Sequence, residues 1–158
     1  MARGIYTVTF SQVSFTTAGT TWDFFEFDAA ADKPIELMSV FIGNKTEVGD
    51  AAEEMVAYAI IRGHTTTGSG GAAVTPRPLD PSDGAASFAA EAANDTIASA
   101  GTALFLHEDT FNVRTGLQLI LPPDMRSITR GADLLVVRML STLTDDVTFS
   151  GTAYVREL

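Results

Sequence analysis

Cysteine is absent from this chain of 158 residues. That excludes a disulfide framework and a thiolate metal site, and it fits a chain made in a reducing compartment. Basic residues are few: 10 Lys and Arg stand against 20 Asp and Glu, for a formal net charge of −10. Phosphate backbones would be repelled by most of such a surface, which argues against nucleic-acid binding. Long apolar runs are missing too. Ile60-Ile61 and Leu134–Val137 are of strand length, far short of the roughly 20 residues of a membrane-crossing helix. The opening MARGIYTVTF has one Arg and then alternates, without the apolar core of a secretory signal. Histidine is scarce, with 2 residues, and far apart in sequence. No HxH pair is present for a cupin-like metal centre.

What is present is a hydrophobic fraction of 46%, enough for one domain with a real core. Most of it is arranged with a period of two, the mark of β-strands. Tyr6, Val8 and Phe10 share one face with Thr7 and Thr9 opposite, and the phase slips before Val13, predicting a bulge near Ser11-Gln12. A turn is expected at 16–21. In Trp22–Asp28, WDFFEFD, strict alternation puts Trp22, Phe24 and Glu26 on one face and Phe25 and Phe27 on the other. Ile35–Asn44 reads as a third strand, followed by a polar loop at 45–50. The segment from Ala51 to Tyr58 could be helical by propensity, but MVAYAIIR indicates a strand with an uncertain start.

Further strands are expected at Ala103–His107, at Thr110–Thr115 as another or its continuation, and at Leu117–Leu121. Met125–Gly131 reads as a loop, ADLLVVRML (132–140) as a strand buried on both faces, and Val147–Val155 as a clean alternation. About eight short strands with Gly, Pro, Asn and Asp turns and no repeated βα unit predict an all-β fold: an antiparallel β-sandwich, jelly-roll-like, in a single domain over 1–158. A barrel or an immunoglobulin-like sandwich is the alternative.

One stretch departs from this pattern. Residues 62–101, RGHTTTGSGGAAVTPRPLDPSDGAASFAAEAANDTIASAG, show no strand alternation. A long connection of this kind is usually functional or disordered. The expectation is a long extended loop or arm over 64–100, inserted between strands and lying against its own core or neighbouring chains. Ser82 or Asp83 could cap a short helix over 85–93 with Phe88 as its one large anchor.

No catalytic constellation emerges. His107 stands beside Glu108 and Asp109, but neighbours in a strand point to opposite faces. Glu53-Glu54 and Asp145-Asp146 read as solvated edges rather than opposed catalytic carboxylates. TGSGG lacks the GK[ST] ending of a phosphate loop, no serine stands in a GxSxG elbow, and no catalytic, cofactor-binding or metal-binding residue is assigned. Arg62, Arg77, Arg126 and Arg130 stand in or beside loops, where their planar fork suits carboxylates across an interface. With His64 at the mouth of the arm and Phe88 within it, these are the candidate interface residues.

The runs IIRGHTTTGSGG, TPRPLDPSD, AEAANDTIASAGTALFLHEDTFNVR and the closing SGTAYVREL resemble a group of small structural proteins of tailed bacteriophages, over nearly the whole chain. The resemblance implies a virion component made in the host bacterial cytoplasm, of the head decoration or cement kind. Such a protein would bind the major capsid protein, without cofactor, as a homotrimer at threefold positions. It carries over no individual residue. A tail or connector component is the near alternative. A second is a carbohydrate-binding jelly roll with Trp22 or Tyr154 as an exposed platform.

Overall fold

The computed structural model describes residues 4–16, 21–45 and 54–158. The turn expected at 16–21, the loop at 45–50 and the start of the 51–58 segment with Glu53 lie largely or wholly outside these. The elements are β1 (Ile5–Phe15), β2 (Asp23–Asp28), β3 (Ile35–Asn44), β4 (Met55–His64), β5 (Ala72–Ala73), β6 (Arg77–Pro78), β7 (Ala89–Asn94), β8 (Leu104–Asn112), β9 (Leu117–Ile120), β10 (Ile128–Thr129), β11 (Leu134–Met139) and β12 (Val147–Glu157). A single 3₁₀ turn at Pro123–Met125 is the one helical element among the described residues.

All pairings are antiparallel, in two sheets. Sheet A runs β10-β3-β12-β1-β6, with β9 also on β3; sheet B runs β5-β7-β2-β11-β4-β8. Setting aside the short β10 and the three strands β5–β7, sheet A is β1-β12-β3-β9 and sheet B is β2-β11-β4-β8. Numbered one to eight in chain order, these are 1-8-3-6 and 2-7-4-5, the double Greek key of a jelly roll.

The core is aromatic and lies between the sheets. Phe15 stacks on Trp22 with centroids 4.4 Å apart and meets Phe149 edge-on at 5.1 Å; Phe10 meets Phe25 at 5.2 Å. The bulge expected near Ser11-Gln12 is present, with β1 slipping on β12 between Phe10 and Val13 and Gln12 at φ 55°. The slip returns Phe15 to the core face. A second shift, where Val137 faces Phe25 but Arg138 faces Asp23, leaves Phe24 unpaired in register. The strict alternation expected for WDFFEFD is therefore wrong. Trp22, Phe24, Phe25 and Phe27 all join the core, and Asp23 and Glu26 stand on the other face. The two segments at 103–107 and 110–115 are one strand, β8, and β10 falls within the expected loop 125–131.

The segment 64–100, expected as an extended arm lying against its own core or neighbouring chains, is folded onto its own body. It leaves the β4–β8 hairpin as two limbs paired through Thr66 with Ser99 and Ser69 with Thr96. The limbs cross the outer face of sheet B, where Ala98 packs on Leu134 and Val136. They then divide. β7 extends sheet B beyond β2, and β6 extends sheet A beyond β1. The residues 85–93 form no helix: Asp80 caps the turn before them, accepting the Ser82 amide at 2.9 Å, and β7 begins at Ala89. Phe88 is the only large aromatic side chain in the segment. It enters the gap between the sheets, edge-on to Tyr6 at 5.7 Å and to Phe27 at 6.5 Å.

Candidate functional site: an open apolar edge with an arginine rim

The two sides of the sandwich differ. On the β1/β2 side both edges are covered by the insertion. The strands presented there, β5 and β6, are two residues each, and β6 follows Pro76 directly and ends in Pro78. Short, proline-bearing edges deter further pairing. On the opposite side sheet B ends at β8, nine residues long. Its outward backbone has no strand partner among the described residues. Leu104, Phe105 and Leu106 are 46%, 51% and 41% exposed, three consecutive apolar side chains on an open edge.

Across from β8 runs the connection between β9 and β11. Leu106, Met125 and Ile128 line one hollow of about 360 Å³ with Arg62 and Arg126; Leu104, Ile128 and Arg130 line another of about 360 Å³, also with Arg62. Arg62 stands between the two and donates to the Ile128 carbonyl at 2.9 Å. Ile120 on β9 and Met125 are 71% and 64% exposed. The two hollows are apolar at Leu104, Leu106, Met125 and Ile128, and edged by the guanidinium groups of Arg62, Arg126 and Arg130 together with the carboxylates of Asp124 and Asp133.

The six candidate interface residues separate. Arg62 and Arg130 lie at this side. Arg126 does too, but it is committed inside the fold, bound to Glu36 at 3.1 Å and to the Leu121 carbonyl; Glu36 also holds Arg156 at 2.9 Å. Arg77 is exposed on β6, on the opposite side. Phe88 is core, so its role as an interface residue is corrected. His64 is buried, 8% exposed, beneath the root of the insertion.

His64 belongs to a buried polar cluster the sequence did not reveal. Arg138 donates to Asp23 through Nε at 2.6 Å and Nη2 at 3.1 Å, and to the Ala98 carbonyl at 2.8 Å. Its Nη1 lies 3.2 Å from His64 Nε2, and His64 Nδ1 lies 3.1 Å from the Ala100 carbonyl. A guanidinium only donates, so Nε2 is the acceptor and Nδ1 carries the proton. Asp23 also accepts the Ala98 amide at 2.7 Å, and Glu26 accepts the Gly68 amide at 2.9 Å. Burial pushes Glu26 up to about 7; the Gly68 hydrogen bond opposes this, Glu91 and Asp23 add to it, and Asn94 lowers it. One signal in the sequence was available: a lone Arg inside LLVVRML must find a partner if that strand is buried.

His107, flanked by Glu108 and Asp109, lies 3.2 Å from the Tyr58 hydroxyl. Burial, with Asp109 nearby, pushes that hydroxyl up to about 12. Among the described residues no three His, Asp or Glu side chains gather as metal ligands, and no helix is long and apolar enough to cross a membrane. Trp22 is 6% exposed, so it is no platform for a ligand. No protein-family model, curated protein or solved structure matches the chain.

Proposed function

We propose that this chain is a non-catalytic structural protein of a tailed-bacteriophage head. In this reading it is a decoration or cement protein that sits between capsid subunits as a homotrimer and strengthens the shell. The observation that supports it is the contrast between the two sides of the sandwich. A long insertion blunts one pair of edges. The other side keeps a long strand whose outward backbone has no strand partner among the described residues, apolar and exposed over Leu104–Leu106 and acidic at Glu108-Asp109. An exposed apolar edge strand is a template for association, and contiguous apolar patches on soluble domains mark contact surfaces.

The arginine rim narrows the partner. Arg62 and Arg130 call for carboxylates opposite, and the chain's own surface is rich in them. A contact of the β8 side of one copy with a different, acidic face of the next is heterologous, and such a contact can close into a ring. The same strand could instead pair with an extended segment of the capsid protein, so the shell and the sister copy are the two surfaces in question. The segment 64–100 does not serve as the reaching arm, because its apolar anchor Phe88 and the backbone of β5, β6 and β7 are spent on its own body.

Phe105→Glu and Leu106→Asp test the reading. Light scattering of the purified chain is expected to give a trimer mass for the parent and a monomer mass for the variants, with unchanged circular dichroism. Phage particles carrying the chain should retain the parent through purification and lose the variants. A parent that is monomeric at all concentrations and absent from particles, or variants that assemble like the parent, would overturn it.

A further inference from the structure

The outer face of sheet A carries a groove of about 450 Å³ that the open edge does not use. The strand register builds it. Thr9 on β1 lies beside Thr152 on β12, Thr152 beside Phe41 on β3, and Phe41 beside Gln118 on β9. These four form one row across four strands, about 14 Å at the ordinary strand spacing of about 4.8 Å. On the next rung Ser150 faces Gly43. Gly43 makes the dip, since a Cβ there would meet nothing within 4 Å.

The lining chemistry is selective. Hydroxyls, one amide, apolar side chains and backbone make up the groove; among the described residues lining it none is charged, in a chain of net charge −10. Among these described lining residues an anion would find no cation, and a cation no carboxylate. A purely apolar ligand would strip water from Thr9, Thr152, Ser150 and Gln118 without replacing their hydrogen bonds. Each of those groups both donates and accepts. The Ser150 hydroxyl oxygen already accepts the Gln12 amide at 2.9 Å, leaving its proton to donate. Phe41 is half-buried and braced edge-on by Tyr154 at 6.0 Å, so a fixed ring lies among the hydroxyls. A ligand that matches this offers many hydroxyl groups, no charge and one apolar face.

We infer that this groove binds a neutral oligosaccharide, with an apolar sugar face on Phe41 and its hydroxyls on the Thr9–Thr152–Gln118 row. The site is separate from the β8 edge, so it stands or falls independently of the assembly role. Few precisely placed polar groups around an apolar floor are the ordinary composition of a small-ligand site.

The test titrates the labelled chain, followed by amide NMR, with gluco-, manno- and N-acetylglucosamine oligosaccharides at millimolar concentration, alongside sulfated and sialylated ones. At least one neutral probe is expected to shift amides of residues 9–11, 41–43 and 150–152. Phe41→Ala and, separately, Gly43→Leu, whose Cβ meets nothing within 4 Å, should each weaken it roughly tenfold or more. Phe105→Glu should leave it unchanged. No shifts with any neutral probe, stronger binding of the charged ones, or equal binding by folded Gly43→Leu would overturn the inference.

Discussion

Arg138 and Asp23 meet as a two-pronged ion pair, Nε to Oδ1 at 2.6 Å and Nη2 to Oδ2 at 3.1 Å, with the Asp23 side chain fully buried. Both belong to sheet B, on β11 and β2, and both also bind Ala98 of the insertion. The pair thus fastens the returning limb to the sheet it crosses. Removing one partner leaves a buried charge alone, which costs about 3–5 kcal/mol. Arg138→Met is expected to lose that much in urea unfolding and to open 65–101 to protease first. Asp23→Leu with Arg138→Met should recover much of the global stability, while the insertion stays cleavable, because Ala98 would still lack its partners.

Glu26 makes stability depend on pH. Its folded value, pushed up by burial to about 7, lies above the ordinary 4.5. The fold therefore favours the protonated acid, so its contribution is full below about 4.5 and is lost as the pH rises through about 7. The difference corresponds to at most about 3 kcal/mol. Glu26→Gln keeps an acceptor for the Gly68 amide and removes the charge. Urea midpoints taken from pH 5 to 8 should fall for the parent and stay flatter for the variant, which should be the more stable at pH 8.

Phe88 holds the far end of the insertion. Its ring lies between Tyr6 and Phe27, and the preceding Ser87 donates to Glu157 at the end of β12. Phe88→Ala should cost about 3–5 kcal/mol, read by chemical denaturation. Freed of β6 and β7, the edges of β1 and β2 would become open as well, so light scattering should show faster aggregation than for Phe105→Glu.

The insertion leaves and re-joins the β4–β8 hairpin through two glycines. Gly63 and Gly101 have φ of 99° and 67°, and a Cβ on either would run into the backbone of the opposite limb, at Thr102 and at Gly63. Alanine at either should cost about 1–3 kcal/mol from backbone strain alone, more with the clash. Gly84→Ala, where a Cβ meets nothing, should be near neutral. Thermal unfolding of the three variants distinguishes them.

Much of the architecture was legible. The alternation of Tyr6–Phe10 and Val147–Val155, the slip before Val13 and the four strands on either side of the 64–100 segment all carry through to the jelly roll. Legibility failed where one strand's facing depended on another. The shift at Val137/Arg138 turns Phe24 and Phe25 both inward, and a strict period of two within WDFFEFD has no record of it. Residues 85–93 read as a short helix by their alanines, yet Ala89–Asn94 pairs with β2. The open patch was the least legible. LFL in β8 looks like any core strand.

By itself the sequence determined the main extended segments on either side of 64–100, and that one domain of β-structure would result. Pleat, proline, glycine and side-chain period act between near neighbours. The tertiary structure alone decided that the glycine- and alanine-rich stretch would cap one flank, that Arg138 would be buried and matched, and that Leu104–Leu106 would face solvent. Each of these follows from which strand ends a sheet, and that is set by pairing between residues far apart in the chain.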